Sequence, residues 1–211
     1  MDKVYHPYVD ALEQEIEYRV IFQDNQAGEP DDIALHQLSY GRSFGDKWFG
    51  EIYLIGERSN QQNFEIEAYE VEVKWQLTEQ GEFWADLGVL FELEKENGEN
   101  AWGFSTVLLV EKELGKWSGT TNLFITQEFG NDTKSETDTT FGSQIRYRYS
   151  RHLEPAIEFY SGENTNALGP VLQGNIIIGT RRALHWESGV IFGLDEDSPN
   201  RTLRFLLEYE F

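Results

Sequence analysis

The sequence predicts an all-β fold, an antiparallel up-and-down β-barrel of about twelve strands. Three observations support this prediction: apolar and polar residues alternate with a period of two from end to end, turn residues separate the alternating runs, and the chain ends on such a run. A period of two places successive side chains on opposite faces of a strand. No linker or change in composition divides the chain, so one domain is expected over residues 1–211.

The first strand illustrates the pattern. In ALEQEIEYRVIFQ, Tyr18 and Val20 share one face with other apolar residues, whereas Glu15 and Glu17 point the other way. Residues 1–9 precede this run and are predicted to form a periplasmic extension. Runs of the same kind predict strands near residues 10–23, 33–43, 47–58, 64–78, 83–95, 100–113, 116–129, 138–150, 153–161, 170–179, 182–194 and 200–211.

The connections provide a second signal, because they alternate in length. Long polar segments such as FGNDTKSETD and SGENTNALGP follow the odd strands, and short turns such as FGDK and ELGK follow the even ones. In an up-and-down barrel, this alternation places the longer loops at one end and the tight turns at the other. The sequence therefore predicts two unequal barrel ends.

Composition excludes several classes of function. The 38 acidic and 17 basic residues give a formal net charge of -21, which repels nucleic acids and anionic headgroups. There is no cysteine, so a disulfide framework, a thiolate metal site and a cysteine nucleophile are excluded. No run approaches the roughly 18 apolar residues of a membrane-spanning helix. Nucleic acid is therefore not an expected partner.

The direction of the apolar faces separates two kinds of barrel. A soluble barrel turns its apolar face inward, and twelve strands would leave a wide lumen for that face to fill. A transmembrane barrel turns the apolar face to lipid, lines its lumen with polar residues and crosses the hydrocarbon with roughly 9 to 11 residues per strand. The even strand number and the unequal connections favour a transmembrane barrel.

The closing run, TLRFLLEYEF, resembles the C-terminal assembly signal of bacterial outer-membrane proteins. That signal is a last strand of alternating hydrophobic residues with a terminal aromatic residue. Its members here are Leu203, Phe205, Leu207, Tyr209 and Phe211. The resemblance implies an outer-membrane location in contact with lipid, both termini in the periplasm, and recognition of the last strand by the barrel-assembly machinery.

The chain also resembles uncharacterised proteobacterial outer-membrane proteins, and in size and strand number it is similar to the small oligosaccharide-specific porins. The second resemblance implies a channel. The assigned lumen face carries many more carboxylates than bases, and acidic rings favour cations in a pore. We therefore expect a narrow passive pore with cation preference for small neutral or cationic solutes. The predicted pore-lining residues are Glu13, Glu15, Glu17, Arg19, Glu70, Glu72, Lys74, Asp86, Arg146, Arg148, Glu154, Glu158, Glu187, Arg204 and Glu208.

An occluded structural or interaction barrel is the alternative. Arg146 and Arg148 are predicted to face Glu154 and Glu158 across the SRH turn, and such cross-strand ion pairs could close the lumen. Inward aromatic side chains would narrow it further. Those predicted to point inward are Phe49, Tyr53, Trp84, Phe124 and Tyr160.

A membrane-embedded hydrolase is a third and less favoured hypothesis. His185 faces the lumen beside Glu187 and is the best proton-transfer candidate, but Ser188 falls on the opposite face, so LHWES contains no local nucleophile-base pair. The acidic loop DEDSPN lacks the central Gly and distal Glu of an EF-hand. We therefore predict no catalytic residues, metal site or cofactor.

Overall fold

A computed structural model describes residues 3–24, 33–59 and 63–211. Twelve antiparallel strands close into a barrel in sequence order, as predicted. They are β1 (Gln14–Asp24), β2 (Ile33–Ser43), β3 (Trp48–Ser59), β4 (Glu65–Gln76), β5 (Asp86–Glu96), β6 (Ala101–Leu114), β7 (Trp117–Gly130), β8 (Thr137–Tyr147), β9 (Glu154–Gly162), β10 (Thr165–Ile177), β11 (Ala183–Gly193) and β12 (Arg201–Glu210). Within the described ranges, no helix has the length and apolar character needed to cross a membrane.

The last strand closes the barrel against the first. β12 pairs with β1 in antiparallel register, with Tyr18 opposite Leu207 and Val20 opposite Phe205. These pairs point outward, and Phe205 is 46% exposed. The seam continues to the final residue, because Phe211 N donates to the carbonyl of Gln14 at 2.8 Å.

The exterior is apolar and the interior is polar. Large hydrophobic side chains are exposed on the outer face of every strand, which would be an aggregation hazard in water but suits contact with lipid. Aromatic pairs cluster near the strand ends on this face. Trp48 stacks on Trp75 with ring centroids 4.9 Å apart, and Trp117 packs on Tyr147 at 4.8 Å. Aromatic residues at these positions match the interfacial belts of membrane proteins.

Strand β10 begins earlier than the sequence pattern predicts. It starts at Thr165, five residues before the predicted 170, so residues 163–164 alone connect β9 to β10. The sequence pattern does not identify these first residues as strand, because it includes Gly169 and Pro170, and both residue types are rare in strand interiors. The structure accommodates Pro170 where the register with β11 is interrupted between Leu168 and Val171, while its pairing with β9 is retained.

The predicted alternation of long and short connections is not observed. The β9–β10 connection is only residues 163–164, whereas the β4–β5 connection at the opposite end extends over residues 77–85. Trp84 lies in that second connection and is 79% exposed, so its predicted inward orientation is wrong. The reason is that β5 begins at Asp86, beyond Trp84, and the residue therefore has no strand face.

Candidate functional site: the barrel lumen

Most of the predicted pore-lining residues are withdrawn from solvent inside the barrel. Their burial follows from strand parity, which points alternate residues inward. The buried members of the set are Glu15, Glu17, Arg19, Glu72, Asp86, Glu158, Glu187 and Arg204. The half-buried members are Glu13, Glu70, Lys74, Arg146, Arg148, Glu154 and Glu208.

The N-terminal segment, residues 3–9, lies inside the barrel rather than extending away from it. The backbone N–H of Tyr5 donates to Oδ1 of Asn122 at 2.7 Å, and the Asn122 amide donates to the Tyr5 carbonyl at 2.9 Å. The Tyr8 hydroxyl donates to Asp86 at 2.8 Å. The lumen thus pairs backbone groups of the segment that would cost free energy if they were buried without a partner.

Apolar side chains of this segment also have partners in the lumen. Val4 packs in a buried cluster with Tyr160, Ala167 and Ile191. Tyr5 joins a second cluster that contains Leu90, Val107 and Leu109. These contacts place the segment against strands on different sides of the barrel. Together with side chains of no solvent exposure, including Arg19 and Arg204, they narrow the lumen at this level.

A buried network around Arg204 neutralises one wall of the lumen. The guanidinium donates from Nε to Glu187 at 2.6 Å, from Nη2 to Glu158 at 2.7 Å and from Nη1 to the Tyr160 hydroxyl at 2.7 Å. Tyr160 in turn donates to Glu158 at 2.6 Å, and Gln144 donates to the other Glu158 oxygen at 2.8 Å. We call this set the arginine wall. Each of its charges has a direct partner.

The inward residues of β3, β4 and β5 form an acidic wall. Its carboxylates lie opposite one another in the strand register: Glu51 faces Glu72, Glu72 faces Glu92, and Glu70 faces Glu94. Lys74 is at the edge of this wall, with its ammonium 5.2 Å from the Phe49 ring. No lysine or arginine of the described strands lies opposite Glu51, Glu70 or Glu72 in this register, and like charges placed opposite each other are destabilising. Glu72 instead accepts a hydrogen bond from the Tyr5 hydroxyl at 2.8 Å, and Glu51 accepts one from the Ser39 hydroxyl.

Cavities remain within the lumen beside these walls, and two of them are rich in carboxylates. The first, about 230 Å³, is lined by Lys3 and His6 of the N-terminal segment and by carboxylates that include Glu15, Glu51 and Glu208. The second, about 180 Å³, lies toward the β5–β6 and β7–β8 connections. Its lining contains five carboxylates and no basic residue of the described ranges. These are Glu70, Glu92, Glu94, Glu96 and Glu128.

The arginines near the β8–β9 connection have different partners from those predicted. Arg146 lies 3.5 Å from Glu154, as expected, and also 3.6 Å from Glu111. Arg148 instead pairs with Glu113 on β6. The remaining predicted acid, Glu158, is bound by Arg204 of β12, three strands away along the same wall. Pairing across the turn therefore accounts for only one of the expected bridges.

The histidines have different partners, and two of them, His6 and His185, line the first cavity. His185 Nδ1 lies 3.0 Å from the Asn175 side-chain oxygen, and His6 Nδ1 lies 2.6 Å from Glu111. His36 is on the outer face, where its ring nitrogen contacts the Tyr18 hydroxyl at 2.7 Å. Among the described residues, the partner of His185 is therefore the side-chain amide of Asn175, and not a serine hydroxyl or a carboxylate.

Several lumen contributors were missed by the sequence pattern. Asn122 and Gln144 are fully or almost fully buried polar residues that connect strands and the N-terminal segment. Strand parity identifies such residues as inward, but it does not single them out from other polar positions. The segment itself carried a usable signal, because KVYHPYV is more apolar and aromatic than a solvated tail.

Solved structures provide a comparison for the fold. Neither a protein-family model nor a curated protein matches the chain. Similar structures include the KdgM porin in complex with disordered oligogalacturonate, with 11% identity, a TM-score of 0.61 and coverage of 93% of this chain and 98% of that one. An outer membrane channel from Pseudomonas putida F1 gives 15% identity, a TM-score of 0.62 and coverage of 100% and 98%. The β domain of the Bordetella autotransporter BrkA has 12% identity and a TM-score of 0.64, with coverage of 96% of this chain and 99% of that one.

These similarities define the class of fold. The chain has the fold of bacterial outer-membrane β-barrels over its whole length, with small porins and channels among the similar structures. At these identities the likeness shows the fold alone.

Proposed function

We propose that the protein is an outer-membrane channel with cation preference for small neutral or cationic solutes, closed in the described conformation by its N-terminal segment. The observation that supports this proposal is the carboxylate excess in two lumen cavities, which are at different ends of the barrel. Fixed negative charge concentrates cations and excludes anions. The presence of porins and channels among proteins of the same fold is consistent with this role.

A reversal-potential measurement in a planar bilayer with a potassium chloride gradient tests the proposal. We expect cation preference, weaker at high salt because the Debye length falls from about 10 Å at 0.1 M to about 3 Å at 1 M. The triple variant Glu92→Gln, Glu94→Gln and Glu128→Gln should lower the preference. A control that neutralises Glu79, Glu82 and Glu196, all exposed in connections, should retain it.

Closure by the N-terminal segment is tested with a reversible cross-link. Val4 and Ala167 belong to one buried cluster, and the chain contains no native cysteine. The double variant Val4→Cys and Ala167→Cys should conduct less when oxidised than when reduced, whereas Val4→Cys alone should not respond. Folded protein that never conducts, oxidised or reduced, would instead favour the occluded structural barrel.

We further propose that both termini lie in the periplasm, the side on which the strands of an even-numbered barrel of this class begin and end. A cysteine at Asn131, in the β7–β8 connection, should then label from outside intact cells, whereas one at Asp46, in the β2–β3 connection, should not. Asn164 in the β9–β10 turn should behave as Asn131 does. Asn25, on the same predicted side, lies outside the described residues. Labelling of Asp46 alone would reverse the orientation.

The C-terminal strand is proposed to engage the barrel-assembly machinery. Its outward face carries the alternating apolar residues that end at Phe211. Phe211→Ser should reduce the amount of assembled barrel in cells while leaving refolding in detergent almost unchanged. Equal losses in both settings would assign Phe211 to stability alone.

A further inference from the structure

A lysine of the N-terminal segment occupies the acidic part of the lumen. Lys3 Nζ lies 2.6 Å from Oε2 of Glu17, and its charge interacts with Glu51, Glu72 and Glu208. The ring centroid of Tyr5 is 5.2 Å from the same nitrogen. Carboxylates combined with an aromatic ring are groups that bind an ammonium ion in a desolvated site.

The surroundings of Lys3 hold more negative charge than one lysine neutralises. Arg19 is bound to Glu17 at 3.0 Å. Glu51 and Glu72 face each other in the β3–β4 register, where they accept hydrogen bonds from the Ser39 and Tyr5 hydroxyls but have no lysine or arginine of the described strands opposite them. We call the group formed by Glu17, Glu51, Glu72, Glu208, Tyr5 and Tyr53 the Lys3 site. The charge excess means that the site could hold a further cation.

A buried hydroxyl in this site points independently to a ligand. Tyr53 is 5% exposed, and its hydroxyl has no hydrogen-bond partner among the described residues. Tyr53 shares the inward face of β3 with Glu51 and lies opposite Glu70 of β4, and the Arg19 guanidinium is 5.9 Å from its ring centroid. Since buried polar groups are nearly always paired, an unpaired hydroxyl beside excess carboxylates indicates a position for a hydrogen-bonding cation.

There is room for a small ligand beside Lys3. The cavity of about 230 Å³ is bordered by Lys3 itself, by Phe49 and by Glu51, Glu72 and Glu208 of the site. A diamine with a short alkyl chain can place one ammonium among the carboxylates and its methylenes against the Phe49 ring.

We propose that the Lys3 site binds small alkylammonium cations from solution and that Lys3 is its built-in competitor. This inference rests on the proposed function and names the class of cationic solute. A tethered group has an effective concentration in the millimolar range. Removal of the Lys3 ammonium should therefore increase the affinity for a free amine.

The test is a titration of folded, detergent-solubilised full-length protein with 1,4-diaminobutane. Lys3→Ala should bind the diamine roughly tenfold more tightly than the parent, because the tethered ammonium no longer competes. Lys3→Met, which keeps the alkyl stem, should behave like Lys3→Ala. The matched control is Lys47→Ala, since Lys47 is an exposed lysine paired with Glu79, and it should bind as the parent does. The uncharged 1,4-butanediol should not bind any of the four proteins.

Equal diamine affinity for the parent and Lys3→Ala would overturn the proposal, as would no binding to a Lys3→Ala variant with parental circular dichroism. Adding Glu51→Gln and Glu72→Gln to Lys3→Ala should lower the affinity again, and an unchanged affinity would place the amine elsewhere. Cation-selective conductance without amine binding would overturn the proposed amine site but support the proposed channel function. Amine binding without conductance would support the amine site and overturn the channel function.

Discussion

The two walls of the lumen treat buried charge in opposite ways. In the arginine wall, one guanidinium binds Glu158 and Glu187 and also contacts Tyr160, so its charges are paired. In the acidic wall, Glu51, Glu70 and Glu72 face other carboxylates across the strands. Both walls follow the same inward parity. The difference shows that strand parity determines which residues enter the lumen, whereas the side chains that other strands place beside them determine whether a charge is neutralised.

The walls are accordingly expected to differ in what a substitution changes. Buried paired charges are sensitive to loss of one partner, because the remaining charge stays desolvated. Unpaired like charges lose repulsion when one of them is neutralised. We therefore expect changes in the arginine wall to affect stability and changes in the acidic wall to affect ion or solute binding.

The largest effect is expected for Arg204→Leu. It leaves Glu158 and Glu187 without their guanidinium, and loss of one partner of a buried pair costs about 3–5 kcal/mol of unfolding free energy. Arg201→Leu is the matched control, since Arg201 and Asp24 form a pair with side chains 50% and 45% exposed, and such pairs contribute about 0–1 kcal/mol. Urea unfolding in detergent, followed by tryptophan fluorescence, measures both. Equal losses of unfolding free energy in the two variants would contradict the distinction between the buried ion pairs of the arginine wall and an exposed ion pair.

The sequence predicts more of the fold than of the site. Alternation identifies twelve strands and the outward face of Val73 or Phe205, because period two is a local property. It misses the start of β10, since Pro170 is tolerated only through the interrupted register with β11. The partners of Arg148 and Glu158, and the position of Lys3, depend on contacts inside the barrel between residues distant in sequence. No local pattern contains that information.

The outer face of the acidic wall should respond strongly to charge. Val73→Arg places a cation on the lipid side of β4, where such charges cost about 2–4 kcal/mol near the bilayer midplane. Val73→Ala controls for the loss of the valine side chain and should cost much less. Refolding equilibria in lipid vesicles provide the measurement. A neutral Val73→Arg combined with a severe Glu72→Gln would mean that the barrel turns its polar face outward.

One substitution made on both walls sharpens the comparison. Glu158→Gln removes a buried acceptor of Arg204, Tyr160 and Gln144, and loss of such bonds costs about 1–3 kcal/mol. Glu70→Gln relieves repulsion with Glu94 and should be neutral or stabilising by up to about 1 kcal/mol. Urea unfolding midpoints of the two variants, measured side by side, show which wall depends on its carboxylates for stability. A larger loss for Glu70→Gln would mean that the acidic wall depends on its charges for stability.

The smallest effects are expected at two acidic connections outside the strands. Asp195 accepts hydrogen bonds from the Ser198 hydroxyl at 2.5 Å and from Asn166 at 2.6 Å, and these bonds lower its pKa, the Ser198 side chain most. Glu163 lies beside Asp138 and Glu136, with carboxylate oxygens of the three within 4.8 Å. The pKa of Glu163 is raised, most by its hydrogen bond with Asp138 and next by the negative charges of Asp138 and Glu136.

The two groups should therefore shift stability in opposite directions with pH. The lowered pKa of Asp195 stabilises the fold above the ordinary aspartate value of about 3.9, and this contribution is lost as the pH falls through the folded pKa. The raised pKa of Glu163 gives a contribution that is complete below about 4.3 and is lost as the pH rises through the folded pKa. Carboxyl carbon shifts in NMR titrations should place the Glu163 midpoint above and the Asp195 midpoint below these values. Asp195→Asn and Glu163→Gln identify the two signals, and midpoints in the reverse order would contradict both assignments.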